Sequence, residues 1–237
     1  MRLLEEMSWP QIEAGLEETQ TIILPVGATE EHGPHLPVFT DTIQALEVAR
    51  EAALRKNVFI APPLHYGVCR STRGFPGTIT VGHDALRAFV KDMLLSFCES
   101  GFARVLVLTG HAGGQHMAAL EEACQRAVEE RDFRVSLVSL FDLIDPMAVE
   151  TPGDGHSGEI ETSLMMVIRR DLVKGKPSLH FPKRPRFLIQ KDVRHLMGNG
   201  IMGDPSRASG DKGRALFGMA VEGVITALEE LESYPAN

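Results

Sequence analysis

Short apolar runs alternate with longer amphipathic stretches along this chain. The apolar runs, such as TIILPV at residues 21–26, are nearly continuous, which is typical of strands covered on both faces of a parallel sheet. Four strands are predicted, over residues 21–26, 58–61, 105–108 and 135–140. Because helix-length segments separate them, the pattern favours an α/β fold with a parallel sheet.

The amphipathic stretches predict five helices, over residues 42–55, 84–100, 115–130, 160–170 and 212–231. In the second, apolar residues recur every three or four positions from Leu86 to Phe97, which places them on one face of the helix. Gly101 follows as a C′ glycine, and the next strand begins soon after it. This order indicates a doubly wound layout, and we expect residues 1–237 to form one domain.

The composition of the chain limits the classes of molecule that the protein is expected to bind. The net charge is −8 and no stripe of Lys or Arg is present, which argues against a nucleic-acid surface and favours a small-molecule partner. The three cysteines are far apart and odd in number, so we expect no disulfide framework and a cytoplasmic, reducing environment. The apolar runs are far shorter than the ~20 residues that span a bilayer, and the N-terminus has no export signal, so we expect no membrane partner.

The first segment with candidate chemistry is LPVGATEEHGPHLPVFTD, at residues 24–41, which begins in a predicted strand. Residues i and i+2 share a face of an extended backbone, so Glu30 and His32 can point toward one metal ion. Asp41 follows a proline-containing loop, at the start of a predicted helix, and its carboxylate could reach the same metal ion. Taken singly, these residues are also typical of a loop acid, a loop donor and a helix N-cap.

Two later segments carry further candidates. His111 lies in LTGHAGGQH, directly after a predicted strand, where open α/β sheets bind ligands. A glycine-rich turn at a helix N-terminus is the alternative interpretation, and His116 of the same segment is expected to pack within the helix. His156 and Glu161 lie in GDGHSGEIETS, where a surface histidine and a helix-dipole acid are the ordinary interpretations.

Charge counting favours a shared metal site. Three carboxylates, from Glu30, Asp41 and Glu161, bring −3, and the imidazoles of His32 and His111 are neutral. Two divalent ions and one bridging hydroxide then bring the sum to zero, and a neutral cluster tolerates burial better than unpaired acids do. Oxygen and nitrogen ligands suit Zn²⁺, Mn²⁺ or Fe²⁺, of which Zn²⁺ is our first expectation.

The chain resembles the creatininase (creatinine amidohydrolase) family over nearly its whole length. The resemblance rests on five segments that occur in this order: PVGATEEHGPHLPVFTD, YG…GFPGTI, LTGHAGGQ, GHSGEIETS and GDPSRASGDKG. It implies a three-layer α/β/α domain with a central, mostly parallel sheet and metals at the carboxyl edge of the strands. It also implies a homo-oligomer, often a hexamer.

The resemblance implies two sets of metal ligands that share one aspartate. One set is Glu30, Asp41 and His111, and the other is His32, Asp41 and Glu161. Asp41 is expected to bridge the two ions.

The resemblance also implies a reaction. His156 matches a family histidine that moves protons during amide cleavage. A metal-bridging hydroxide would attack an amide carbonyl, and His156 would carry the proton to the departing nitrogen. We therefore expect a metal-dependent amidohydrolase acting on a cyclic amide or formamide, a C–N bond other than a peptide bond. A metal-dependent peptidase that trims a small modified peptide in a cofactor pathway is the alternative enzyme, and a non-catalytic relative that keeps the fold is the third alternative.

Two departures from the family pattern bear on the substrate. Members that hydrolyse creatinine usually carry a carboxylate two residues after the histidine of the G-H motif, where this chain has Gly113. They also place tryptophans around the substrate, whereas this chain has only Trp9. Creatinine is therefore not the expected substrate. Arg70 and Arg73 could bind an anionic group of another substrate, and solvated surface arginines are the alternative.

Overall fold

A parallel sheet forms the centre of the molecule. The computed structural model describes residues 1–183, 185 and 187–234. The strands are β1 (Arg2–Leu3), β2 (Thr21–Val26), β3 (Phe59–Ile60), β4 (Arg104–Thr109) and β5 (Arg134–Ser139). Their order in the sheet is β1-β3-β2-β4-β5, and every neighbouring pair is parallel. The predicted α/β class with a central parallel sheet is confirmed.

Helices cover both faces of this sheet. They are α1 (Trp9–Leu16), α2 (Thr40–Arg55), α3 (His83–Glu99), α4 (Gly114–Glu130), α5 (Glu159–Ile168) and α6 (Gly210–Ser233). The five helices that the sequence predicts correspond to α2 through α6, with ends that differ by at most two residues. Strand β1 and helix α1 are not predicted from the sequence, because β1 has only two residues and α1 only eight.

Alternating residues of β2 supply the two halves of the core. Ile22 packs with Val90 of α3 and with residues of α4, on one face of the sheet. Ile23 points to the other face, where Val48 of α2 and Val224 of α6 meet it. All five side chains are fully buried, which is why the strand sequences are continuously apolar. Helix, sheet and helix thus form the predicted three layers.

The register of the sheet determines where the candidate site lies. Val26, the last residue of β2, pairs with Thr109, the last residue of β4. The loops that follow these two strands therefore leave the same edge of the sheet, and α2 and α4 begin beside that edge. Parallel α/β sheets bind ligands at this position.

Two further findings concern cysteines and membranes. Cys69, Cys98 and Cys124 are free thiols, as the sequence predicts. Among the described residues, no helix is both long enough and apolar enough to cross a membrane.

Candidate metal centre

The five predicted metal ligands converge at the carboxyl edge of the sheet. Glu30 and His32 lie in the loop after β2, and His111 lies in the loop after β4. Asp41 lies in the first turn of α2, and Glu161 lies in the first turn of α5. Less than a tenth of each residue is exposed, so the cluster is removed from solvent.

His111 forms the first half of the cluster with two carboxylates. Its Nδ1 lies 3.1 Å from Glu30 Oε2 and 3.2 Å from Asp41 Oδ2. Its Nε2 donates a hydrogen bond of 3.2 Å to the main-chain carbonyl of Val68. This bond orients the ring so that Nδ1 faces the two carboxylates, which is how a neutral imidazole is prepared to bind a metal.

His32 forms the second half in the same manner. Its Nδ1 donates to the main-chain carbonyl of Glu30 at 3.0 Å. Its Nε2 lies 2.9 Å from Asp41 Oδ1 and 3.4 Å from Glu161 Oε1. Asp41 therefore presents one oxygen to each histidine and lies between the two halves, in the place that a bridging carboxylate requires.

Several atoms at the centre have unused hydrogen-bonding capacity. With the imidazoles neutral, Glu30 Oε2, Asp41 Oδ2 and His32 Nε2 are buried and form no hydrogen bond with the described residues. A buried, unsatisfied oxygen of a carboxylate costs free energy, and a cation removes that cost. The donor set therefore fits divalent metal ions.

In the metal-free protein, protons on the histidines supply positive charge to the cluster. Burial alone lowers the pKa of His111, but the charges of Glu30 and Asp41 outweigh it and raise the pKa to about 9. Burial also opposes the charged form of His32, yet Asp41 and Glu161 raise its pKa well above the ordinary value. Burial would raise the pKa of Asp41, but the two histidines lower it. The carboxylates thus hold two imidazolium groups where cations would bind.

His156 lies beside both halves of the cluster. Its Nε2 donates to the main-chain carbonyl of Glu31 at 2.6 Å, and its Nδ1 lies 3.5 Å from Glu30 Oε1. Its ring packs against that of His32, with centroids 4.3 Å apart. A cavity of about 200 Å³ lies over the cluster, and its lining includes His156, Phe141 and Met202. The ring is also close enough to His32 and Glu161 to form a group that could hold a metal.

Three residues beside the cluster are missed by the sequence reasoning. Glu31 is buried and lies against His156. Ser157 adopts a left-handed conformation with φ of 57°, and its N–H donates to Glu161 Oε2. Cys69 brings a thiol to the first half of the cluster. Of these three residues, only Glu31 could have been found from the sequence, because it directly follows Glu30 in the segment LPVGATEEHGPHLPVFTD.

His116 packs inside the protein, as the sequence predicts. It is fully buried, and burial lowers its pKa to about 3. Its Nδ1 accepts from the N–H of Val68 at 3.4 Å, and its Nε2 lies 3.2 Å from Thr109 Oγ1, to which it can donate. His116 therefore holds the segment to which the ring of His111 is bonded.

Arg70 and Arg73 line a second cleft, of about 510 Å³. Ser71 lines both this cleft and the cavity over the cluster, so the two spaces adjoin. Lys191 and His83 add two further basic side chains, and no acidic residue is among the described residues that line the cleft. The cleft is therefore a basic extension of the candidate site.

Comparison with known proteins gives the same family over nearly the whole chain. The family model described as "Creatininase: Creatinine amidohydrolase" matches residues 5–228. The mycofactocin precursor peptide peptidase of Mycolicibacterium smegmatis is 31% identical over 214 residues, which cover 85% of this chain and 81% of that protein. The creatinine amidohydrolase of Pseudomonas putida is 27% identical over 251 residues, which cover 95% of each.

Solved structures agree with the sequence matches. A structure described as "Creatininase Mn" has a TM-score of 0.89 and 26% identity, and the match covers 98% of this chain and 99% of that chain. A creatininase mutant described as "Zn-Zn type" has the same TM-score and identity, and the match covers 98% of both chains. The similarity therefore includes the sheet and the helices on both of its faces.

Proposed function

This chain belongs to the creatininase family, and from that premise we propose that it is a metal-dependent amidohydrolase that cleaves a C–N amide bond of a small molecule. The bond is of the cyclic amide or formamide type. The observation that carries the proposal is the convergence of buried, unsatisfied donor atoms from Glu30, Asp41 and His32 at the carboxyl edge of the sheet.

Two divalent ions fit this donor set, with Zn²⁺ as the first expectation and Mn²⁺ or Fe²⁺ as alternatives. Such ions, when bound, lower the pKa of water and polarise a carbonyl oxygen. The protein supplies the orientation of the ligands. Main-chain carbonyls fix the rings of His32 and His111, and Asp41 offers one oxygen to each half. This preorganisation favours hydrolysis, because the ligands need not rearrange before reaction.

We assign proton transfer to His156. Because its Nε2 donates to the carbonyl of Glu31, its Nδ1 is free to face the cluster and the cavity. An imidazole in this position can take a proton from the attacking group and deliver it to the departing nitrogen. Phe141 and Met202 also line the cavity, so apolar side chains lie in the same space as that proton.

Creatinine is not the proposed substrate. A Cβ atom on Gly113 would lie 2.7 Å from His111 Nε2, so a carboxylate-bearing side chain at this position would require the loop to shift. Trp9 is 73% exposed and is not among the described residues that line the cavity. The basic cleft supports a substrate with an anionic group, which Arg70 and Arg73 would bind.

A peptidase is the second candidate function. It is favoured by the similarity to the mycofactocin precursor peptide peptidase and by the larger cleft that adjoins the cavity at Ser71. A peptide could occupy both spaces at once, whereas a small lactam needs only the cavity. The two candidates share the same metal centre and differ in what fills the cleft.

We also propose that the chain forms a homo-oligomer, as large as a hexamer. Leu188 and Ile189 support this, because they are neighbouring large apolar residues that are 65% and 94% exposed. Light scattering on the purified protein tests the assembly, and a monomer at micromolar concentration would contradict it.

A hydrolysis screen with metal-loaded protein tests the proposed function. The protein is loaded with Zn²⁺, Mn²⁺ or Fe²⁺ and offered cyclic amides, formamides, creatinine and short peptides, with His156→Ala as the inactive control. Turnover of a cyclic amide or formamide supports the proposal. Turnover of peptides alone supports the second candidate, and failure to bind metal overturns both.

A further inference from the structure

A sulfur atom lies at the first half of the metal centre. The Sγ atom of Cys69 and the ligand atoms of Glu30 and His111 all lie within 4.8 Å of one another, and all three residues are buried. Cys69 is 1% exposed, and burial together with the nearby charge of Glu30 raises the pKa of its thiol. No other cysteine occupies a comparable place among the described residues, since Cys98 and Cys124 lie in α3 and α4.

The position of this sulfur is determined by several hydrogen bonds. The main-chain N–H of Cys69 donates to Thr80 Oγ1 at 2.9 Å. The preceding residue, Val68, donates its N–H to His116 and accepts from the ring of His111 at its carbonyl. The same short segment therefore orients the histidine ligand and carries the sulfur. A shift of this segment would therefore move both the ring of His111 and the sulfur of Cys69.

The carboxylate oxygens around His111 also support the binding of a metal ion beside Cys69. Glu30 Oε2 and Asp41 Oδ2 lie 3.1 and 3.2 Å from His111 Nδ1 and form no hydrogen bond with the described residues. Zn²⁺ is usually bound by four ligands drawn from sulfur, nitrogen and oxygen donors. One imidazole, two carboxylates and one thiolate would complete such a set.

We propose that Cys69 is a ligand of the metal ion that Glu30, Asp41 and His111 bind. The inference rests on the proposed metal centre and is independent of the substrate. When the metal binds, the S–H bond of Cys69 breaks, the proton leaves to solvent and the sulfur forms a bond to the ion. The three carboxylates of the cluster and this thiolate then bring −4, which balances two divalent ions. With Cys69 as a neutral thiol, a hydroxide would instead supply the fourth negative charge.

A thiolate ligand makes the two halves of the centre chemically different. Sulfur ligands favour Zn²⁺ over Mn²⁺, which prefers oxygen. The half that contains Cys69 would therefore select Zn²⁺ or Co²⁺, while the half formed by His32 and Glu161 would accept Mn²⁺ as well. This difference predicts a stable mixed-metal protein.

The competing role for Cys69 is that of a neutral thiol that donates to Glu30. Burial and the charges of Glu30 and Asp41 raise the pKa of the thiol in the absence of a metal, so this role is physically sound. The two roles differ in the variant Cys69→Ser, because serine keeps a hydrogen-bond donor and is a far weaker ligand for Zn²⁺.

Cobalt spectroscopy on the full chain separates these roles. Protein loaded with two equivalents of Co²⁺ should show a near-ultraviolet band from charge transfer between sulfur and cobalt. The band should be absent in Cys69→Ser and present in the matched control Cys98→Ser. In Cys69→Ser, the Zn²⁺ affinity of one of the two sites should fall by about tenfold or more, and the Mn²⁺ affinity should change little.

Each other result counts against the inference. Wild-type protein that binds two Co²⁺ without the band overturns it, and this measurement does not depend on the folding of any variant. An unchanged preference for Zn²⁺ over Mn²⁺ in Cys69→Ser also overturns it. If the wild type binds no metal at all, the proposed metal centre itself is wrong, which is a separate and recognisable outcome.

Discussion

Gly110, which follows β4, lies against the main chain of Asp41 in the first turn of α2. A Cβ atom on Gly110 would overlap the carbonyl oxygen of Asp41, so the two segments can approach this closely only because residue 110 is glycine. The next residue, His111, is thereby brought to 3.2 Å from the Asp41 carboxylate. The glycine of the G-H motif thus helps to hold ligands from two elements together.

Replacing Gly110 by alanine should therefore disrupt the metal centre. The added methyl group must push β4 and α2 apart, which should lower the free energy of unfolding by about 1–3 kcal/mol and reduce the metal content. Metal analysis and chemical denaturation measure both effects. Gly114→Ala is the matched control, because no atom lies within 4 Å of a Cβ at Gly114. Full metal content in Gly110→Ala would show that the close approach is unimportant.

His156→Ala should retain the metal and lose activity. If His156 transfers protons, its removal should lower kcat by about 10²–10⁴ on the substrate found in the screen. Metal content, measured on the same sample, should equal that of the wild type. The exposed His195 gives the control His195→Ala, which should match the wild type in both measurements. Loss of metal from His156→Ala would instead place His156 among the ligands, with His32 and Glu161.

Metal binding should release protons and strengthen as the pH rises. In the metal-free protein the pKa of His111 is raised to about 9 and that of His32 is also raised, so both rings hold protons at neutral pH. A metal ion must displace these protons, and its affinity should therefore increase with pH up to about 9. Calorimetry in buffers of different ionisation enthalpy counts the protons released. Binding without proton release would contradict the charge balance inferred for the cluster.

The same pKa shift has a consequence for stability without metal. The folded pKa of His111 lies above its ordinary value of 6.5, so its ion pairs stabilise the metal-free fold fully below about pH 6.5. That contribution should decline as the pH rises through about 9. Denaturation curves of metal-free protein at increasing pH measure it, and His111→Gln should show a weaker dependence, because His32, whose pKa is also raised, remains.

Much of the fold follows from the sequence, because buried strands and one-sided helices have periodic patterns of their own. The geometry of the site follows only in part. Residues 27–39 do not continue β2 as an extended strand, so the i and i+2 argument does not describe the loop. Instead, His32 contacts Oδ1 of Asp41, and Glu30 lies with His111 on the Oδ2 side. Cys69 has no sequence signal, because its position depends on tertiary hydrogen bonds within an irregular segment.

Arg70 and Arg73 provide the test of an anionic substrate group. No acidic residue is among the described residues that line the cleft with Arg70 and Arg73, so both arginines are available to bind an anion there. Arg70→Gln and Arg73→Gln should raise KM for a charged substrate by about tenfold with little change in kcat, because these contacts are remote from the reacting bond. A neutral analogue should show no such change, and added salt should weaken binding of the charged substrate in the wild type. Arg126→Gln on α4, which removes an ion pair with Glu122, controls for loss of a surface charge. If charged and neutral substrates keep the same KM in both variants, the arginines are solvated surface residues and the cleft does not select for charge.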